Sequence, residues 1–488
     1  MYRRLLTLAV ASAVALPALA AEPPVSITLY RADGDSLFQT TGEAFSSDGY
    51  AVVHERRDFD LRSGVQDLTV DGLPAALDSE AMSLRFPGKN TSVVSQRLLL
   101  GQGYTGAVAG LVGKQVVVIG SSGQPIVSGV LQRGGDGLVV KDSSGQSTLV
   151  RDYAALRVAG NSDVARGSSL QVRVNAGSAG ASTASLSYPT SGLGWRGAYT
   201  ALLAPGEGCH MTLDAAASIA NRSGRDWNSA TLKLVAGDAN RAKAPPARMF
   251  SMAARGVAEV PMAMDAAMPE QATLADLRTF TLPSPVDLPD GSVTQTPLYA
   301  SRDIACERIA LYENGGVYLP PQPQLQREFF GDQSTPIQTV IKMKAFDSMP
   351  AGYVRVLIDD RDGNAELLGE GRLSDTAKGN DATIVLGAAF DLTASREQTS
   401  FTLDDAGHKL DEGFRVTLKN AGDTARTVLV REHPNRWRGW KLTSSSVKAS
   451  KQTPDTIEFK VDIPAHGSAT LDYAVRYTWT AGDVARNR

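Results

Sequence analysis

The residue types best suited to chemistry lie close together between Arg431 and Lys441, in the sequence REHPNRWRGWK. An indole face stacks on a sugar ring or a cation, and a guanidinium group pairs with carboxylates. The segment is therefore the best candidate for a binding platform, formed by Arg436, Trp437, Arg438 and Trp440, which would stack on a sugar ring and pair with acidic groups of an envelope polymer. The interpretation that we favour places Trp440 in a core, with the arginines at its border.

The remaining motifs favour neither a cofactor nor a metal. Two G-x-G-x-x-G strings, Gly101–Gly106 and Gly192–Gly197, lack the strand–turn–helix context that a dinucleotide site needs, so we interpret them as turns and expect no cofactor. The five histidines are scattered and form no H-E-x-x-H motif, so no metal site is predicted. Glu366 and Glu370 have the residue types of a glycosidase pair, but charges on the face of a hairpin are the simpler interpretation.

The chain has only two cysteines, Cys209 and Cys306. Cys209 shares the inward phase of Met211 and Leu213, which alternate with polar residues as in a half-buried strand. Two cysteines in an exported chain allow a single disulfide. We therefore predict that Cys209 and Cys306 are joined.

The first twenty residues have the pattern of a secretory signal. Arg3 and Arg4 precede a short apolar run, and Ala18-Leu19-Ala20 is a cleavage site. A membrane anchor is the alternative, but the run is too short and ends at Pro17. We expect a periplasmic or secreted protein, cleaved near Ala20, with no transmembrane segment afterwards. With 52 acidic and 49 basic residues, two of the latter in the leader, we expect no nucleic-acid partner.

The elements that position these residues are predicted to be β-strands. The stretch from Cys209 to Ile219 alternates apolar and polar residues, and a turn at residues 221–226 leads to Trp227 and a second alternating strand. A large aromatic beside such a turn usually closes the end of a sandwich core. The 46 glycines and many Asp-Gly turns also favour an all-β fold.

We divide the chain after the signal into four regions. Residues 21–107 read as short strands of an N-terminal β domain, and residues 108–160, with five-residue strands and Ser-Ser-Gly turns, predict a small SH3-like barrel. Residues 161–400 form a central β-sandwich region. In residues 401–488, alternating runs such as Ile457–Ile463 and Leu471–Tyr477 predict an immunoglobulin-like sandwich.

Within the central region, residues 238–273 are rich in Ala, Pro and Met and predict a mobile, protease-sensitive loop. Five of the ten methionines lie there, at M-x-x-M and M-x-M spacings: Met249, Met252, Met262, Met264 and Met268. Thioethers bind Cu(I). The interruption of any helix by prolines and the lack of a histidine in the cluster favour the plain loop over a copper site.

The central residues resemble a bacterial family called domain of unknown function 4139, some relatives of which are called mucoidy inhibitors. The resemblance rests on these residues: Trp195, Tyr199, Ala217, Ile219, Asn221, Ser223, Gly224, Trp227 and Gly237. It covers the chain from about Ser187 to its end. Some relatives carry a coiled coil before this region, whereas this chain has no heptads. The resemblance implies a β fold and a cell-envelope setting, without catalytic residues to carry over.

From these patterns we expect a non-enzymatic β protein of the cell envelope with a binding or scaffolding role. Its partner would be an unidentified envelope protein or polymer. The alternative is a hydrolase that acts on an envelope polysaccharide, which would need a convergent cluster of carboxylates or histidines in a concave pocket.

Overall fold

A computed structural model describes residues 25–32, 34–39, 48–88, 90–99, 108, 111–134, 137–158, 168–204, 208–239, 268–328, 335–360 and 362–484. The predicted signal peptide, the string Gly101–Gly106 and most of the Met-rich segment lie outside these ranges. The described chain is nearly all β, as the sequence predicts.

The described residues before position 160 form ten strands, with single turns of 3₁₀ helix at Asp35–Leu37 and Ser79–Ala81. The strands are β1 (Ser26–Tyr30), β2 (Ala51–Leu61), β3 (Gly64–Leu73), β4 (Ser83–Arg85), β5 (Thr91–Leu99), β6 (Gln115–Ile119), β7 (Pro125–Arg133), β8 (Leu138–Lys141), β9 (Ser147–Val150) and β10 (Ala155–Val158).

The middle of the chain contributes strands of widely different length. They are β11 (Ser168–Ala176), β12 (Gly180–Thr190), β13 (Leu193–Leu203), β14 (His210–Asn221), β15 (Trp227–Ala236), β16 (Glu270–Leu274), β17 (Leu277–Thr281), β18 (Val286–Leu288), β19 (Ser292–Asn314) and β20 (Gln338–Lys344).

From residue 352 onwards, ten further strands and one short helix lie within the described residues. They are β21 (Gly352–Asp359), β22 (Ala365–Leu373), β23 (Asp381–Ala388), β24 (Leu392–Asp404), β25 (Lys409–Asn420), β26 (Arg426–Glu432), β27 (Trp440–Ser445), β28 (Ala449–Gln452), β29 (Ile457–Ile463), β30 (Gly467–Thr478) and α1 (Ala481–Val484).

The N-terminal strands do not form a domain of their own. They share an eight-stranded sheet with the central region, in the order β16-β17-β15-β1-β2-β12-β4, with β18 also on β15. Strand β1 pairs in parallel with β15, where Ile27 lies opposite Leu232. The separation of residues 21–107 from 161–400 is therefore wrong, because backbone hydrogen bonds join the two ranges. The predicted loop also ends before residue 273, since β16 begins at Glu270.

A small sheet is inserted between β5 and β11, which themselves pair with each other and, through β11, with β3. Its five strands have the order β10-β6-β7-β8-β9 and enclose a separate apolar cluster that includes Val116, Leu131 and Val140. The edge strands β9 and β10, each four residues long, do not pair in the described residues. The small SH3-like unit predicted for residues 108–160 is therefore a five-stranded antiparallel sheet with its own core, without closure between β9 and β10 in the described residues.

A ten-stranded sheet runs through the rest of the molecule in the order β22-β21-β13-β14-β19-β26-β29-β28, with β20 on β19 and β23 on β20. Strand β19 has 23 residues and belongs to two layers. Its first half pairs with β14 and its second half with β20 and β26. Leu298 is buried in the main core, and Tyr312 in the C-terminal core.

The C-terminal sandwich packs the sheet β24-β25-β30-β27 against β26, β29, β28 and the end of β19. The alternation predicted from the sequence is observed: Ile457, Phe459, Leu471 and Val475 are all buried. The predicted boundary at residue 401 falls inside β24. The sandwich therefore takes most of β24 and the end of β19 from the region before that boundary.

Trp227 lies at the end of the main core, as expected from the turn beside it. Its side chain is 1% exposed, and its Nε1 donates to the Ser223 hydroxyl at 3.1 Å. The Asn221 amide closes the turn by donating to the carbonyls of Arg225 and Leu288. Asn420 makes the same kind of contact in the C-terminal sandwich, where it donates to Thr424 and Pro464.

Candidate functional site

The predicted platform at residues 436–440 is not a surface platform. Arg436 is 3% exposed and Trp437 is 4% exposed, both within the C-terminal core. Arg438 is the exposed member, stacking on Trp437 and pairing with Asp483 at 3.3 Å. Trp440 is half-buried and donates to the Pro454 carbonyl. The four residues therefore do not form a shared stacking face.

Arg436 instead anchors a buried ion pair. Its Nε lies 2.6 Å from Oε2 of Glu412, whose side chain is also buried. Glu412 faces inward from β25, next to the buried Leu410 and Phe414. Burying two charges is favourable only when good geometry and further hydrogen bonds compensate for lost solvation. The arginine supplies those bonds through its other nitrogens.

Those nitrogens bind a long connection that follows β19. Residues 315–328, the described part of the connection between β19 and β20, have no regular secondary structure, and we name them the strap. Arg436 Nη1 donates to the carbonyls of Gln324 and Gln326, and its Nη2 donates to that of Arg327. Its own carbonyl accepts from the Gln324 amide at 3.0 Å.

Asn435 holds the beginning of the strap in the same way. Its Oδ1 accepts from the Tyr318 amide at 3.2 Å, and its Nδ2 donates to the Gly316 carbonyl at 2.8 Å. Asn435 and Arg436 therefore bind six backbone groups of the strap. Because backbone groups are common to all peptides, these contacts recognise an extended chain rather than particular side chains.

A polar cavity lies behind Asn435 and Arg436, inside the sandwich. It has a volume of about 30 Å³ and is lined by Asn314, Arg396, Glu432 and Tyr473 among others. Arg396 Nε lies 3.2 Å from Glu432 Oε2, and its Nη2 donates to Tyr473. Three buried atoms in the lining have no hydrogen-bond partner: Arg396 Nη1, Glu432 Oε1 and Asn314 Oδ1. The cavity has room for about one or two water molecules.

Electrostatics inside this cavity follow from burial. Burial raises the pKa of Glu432 above its ordinary value, and the Arg396 charge opposes that rise. Burial also raises the pKa of Tyr473 well above 10. For Arg396, burial lowers the pKa, but Tyr473 and Glu432 raise it more, so the guanidinium stays charged. Glu432, Arg396 and Tyr473 thus supply the cavity with a pair of charges and a phenol rather than an activated nucleophile.

His433 lies at the edge of the same cavity. Its Nε2 is 2.9 Å from Glu313 Oε1, and its Nδ1 is 3.0 Å from the Asp455 carbonyl. Both neighbours are acceptors, so an imidazolium with two N–H groups fits this position best. The Glu313 hydrogen bond accordingly raises the pKa of His433 more than burial lowers it.

The other predicted positions do not assemble into a catalytic or metal site. The string Gly192–Gly197 leads into strand β13 rather than a helix; Gly192 has φ 78°, and a Cβ there would lie 2.5 Å from the Arg222 carbonyl oxygen. Glu366 and Glu370 both lie on β22, and four residues of strand span about 13 Å, beyond the separation of a glycosidase pair. Within the described ranges, no three His, Cys, Asp or Glu side chains are placed to hold a metal ion.

Cys209 and Cys306 are joined in a disulfide, with their Cα atoms 4.9 Å apart. The bridge links the residue before β14 to the middle of β19, at the point where β19 passes from one layer to the other. It therefore cross-links two neighbouring strands of the ten-stranded sheet on the side of the main core.

Comparison with known protein families finds a match to the chain. The family described as Domain of unknown function (DUF4139) matches residues 184–481. This range covers more than half of the chain, from β12 to α1, and includes the Trp227 turn, the strap and the C-terminal sandwich. The chain belongs to this family.

No curated protein matches the sequence significantly. In the part of the chain that is described, no helix has both the length and the apolar character needed to cross a membrane.

Proposed function

We propose that this protein is a rigid, non-catalytic scaffold of the cell envelope that acts by binding another envelope component. The observation that carries the proposal is the continuity of β19. One strand of 23 residues pairs in both layers and is cross-linked to the start of β14. Such a frame holds two sandwiches at one orientation, which suits a protein that presents surfaces to a partner.

An exported location is supported by two independent features. The N-terminal residues have the charged start, apolar run and A-x-A site of a secretory signal. The disulfide between Cys209 and Cys306 fits an oxidising compartment, because reducing conditions in the cytosol keep most thiols unpaired. We place the mature protein in the periplasm, beginning after Ala20.

The strap supplies an accessible apolar surface. Val317 is 57% exposed and Leu319 is 68% exposed, although the backbone between them is fixed by Asn435. Connections of this length without secondary structure are uncommon in compact domains and are usually functional. A fixed backbone with exposed apolar side chains binds a partner at low entropic cost.

In-cell photo-crosslinking tests the proposal. A photoreactive residue replaces Leu319 in the full-length chain, and a second variant carries it at Val65, which is 66% exposed on the distant strand β3. We expect a discrete adduct with one envelope component from position 319 and none from position 65, in a mature chain recovered from the periplasm. A cytoplasmic chain that retains its leader, or equal adducts from both positions, would contradict the proposal.

A further inference from the structure

The strap is held as a bound peptide would be held. Pro320 and Pro323 are buried against the protein, whereas Pro321 between them is exposed. Leu325 packs against the C-terminal core. Apolar side chains of the strap are therefore buried at intervals in the surface of the sandwich, while its backbone forms hydrogen bonds with Asn435 and Arg436. Alternate buried side chains with a bonded backbone are the common features of proteins that recognise extended peptides.

The groove that receives the strap is built independently of it. Arg436 is oriented by Glu412, which also accepts from Gln398 at 3.2 Å. The guanidinium lies over the Phe401 ring at 5.2 Å. These contacts all come from β24 and β25 and would remain if the strap left. A preorganised guanidinium loses little side-chain entropy when it binds carbonyls, which favours affinity.

The strap has a hinge at the end where it leaves β19. Gly315 has φ 70°, a conformation that favours glycine, and a Cβ on Gly316 would meet no atom within 4 Å. Two adjacent glycines, the second of them in open space, allow the chain to turn away from the sandwich after Asn314. The strap can thus be displaced, which would remove Leu325 from the edge of the C-terminal core.

From these observations we propose that Asn435, Arg436 and the surface beneath Pro320 and Pro323 form a peptide-binding groove, which the strap occupies in cis. Its occupant in trans is an extended, proline-containing segment of another protein, which competes with the strap. The inference rests on the proposed binding role and gives the partner a second mode of contact, in which a proline-containing segment replaces the strap instead of packing on Val317 and Leu319. It also explains why an irregular segment is held by two side chains that bond to its backbone.

A fluorescent peptide with the sequence of residues 316–327, GVYLPPQPQLQR, tests the groove in the full-length protein. Fluorescence anisotropy compares the wild type with a Pro320→Gly/Pro323→Gly variant, in which the strap is more weakly held. We expect the variant to bind the peptide at least about tenfold more tightly, because each lost strap contact of about 1.4 kcal/mol lowers the competition tenfold. Adding Asn435→Ala to that variant removes two hydrogen bonds and should reverse the gain.

Three outcomes would overturn the inference. They are equal affinity of the wild type and the variant, equal binding of a permuted peptide, and indifference to Asn435→Ala. A dimer of the variant that the peptide dissociates would show that the occupant is the strap of a second copy, which also overturns the proposal of a separate partner.

A second measurement on the wild type avoids any dependence on the folding of the variant. Excess unlabelled peptide should speed hydrogen exchange at the Tyr318 and Gln324 amides, whose bonds to Asn435 and Arg436 break when the strap leaves. A permanently docked strap would exchange at an unchanged rate, which contradicts the inference. Failure here would leave the photo-crosslinking result standing, so the two proposals fail separately.

Discussion

The ion pair between Glu412 and Arg436 provides the sharpest test of how the groove is built. Glu412→Gln keeps the shape of the side chain but removes the charge that faces Arg436 at 2.6 Å, with the two side chains 3% and 4% exposed. Breaking a buried pair on one side leaves an uncompensated charge in the interior. We expect a loss of about 3–5 kcal/mol in the stability of the C-terminal sandwich.

The same sheet contains a matched control. Arg415 Nε lies 2.7 Å from Asp472 Oδ1, but these side chains are 47% and 44% exposed. Solvent screens such a pair, so Asp472→Asn should leave the stability of the sandwich almost unchanged. The two substitutions thus make the same chemical change to two ion pairs of almost the same length, and these pairs differ in burial.

Hydrogen exchange of peptides from β25 and β30 measures the opening free energy of this sandwich directly. We expect the Glu412→Gln variant to exchange faster in both peptides by a factor of at least about 100, because 1.4 kcal/mol corresponds to a factor of ten. If both variants exchange alike, the pair at Glu412 is solvated, and the argument that Arg436 is a preorganised anchor fails.

Three further predictions follow from the fold. Trp227→Ala should lower stability by about 3–5 kcal/mol as a core truncation, seen as a lower urea midpoint; an unchanged midpoint would mean that this side chain does not close the core. Replacing both Cys209 and Cys306 by Ser should cost about 4–5 kcal/mol in the chain-entropy model, and a reductant should have no effect on that variant while destabilising the parent. Glu313 raises the pKa of folded His433 above its ordinary 6.5. Protonated His433 therefore stabilises the folded protein fully below pH 6.5, and this stabilisation is lost as the pH rises through the raised pKa. His433→Gln should therefore flatten the stability profile across that window, and an unaltered profile would exclude this role for His433.

Local alternation predicted the strands well because the side-chain period of a strand is a local property. The residues from Met211 to Ile219 and from Ile457 to Ile463 have the buried phases that their sequence indicates. Strand partners are different. The parallel pairing of β1 with β15 joins residues about two hundred positions apart, and no periodicity specifies which distant edge a strand meets. The proposed domain boundaries failed for this reason.

The sequence left two interpretations of the binding segment open for a related reason. Tryptophans and arginines together are equally suited to an exposed stacking face and to a buried network, and the choice depends on partners far along the chain. Arg436 finds Glu412 and the strap carbonyls, none of which is its sequence neighbour. A signal was present nonetheless, because Arg396, Glu412 and Glu432 each occupy an inward phase of an otherwise apolar alternation. A charge at such a position indicates a buried polar network.

The rigidity of the frame is the property on which the proposed scaffolding role depends, and a distance distribution between its two sandwiches tests it most directly. Spin labels at the exposed positions Asp60 on β2 and Lys460 on β29 span the junction, and labels at Lys419 and Lys460 give the width intrinsic to one sandwich. Pulsed electron–electron resonance should show a single distance for the spanning pair, no broader than that of the reference pair. A broad or two-peaked distribution would mean that the sandwiches move independently, and would contradict the account.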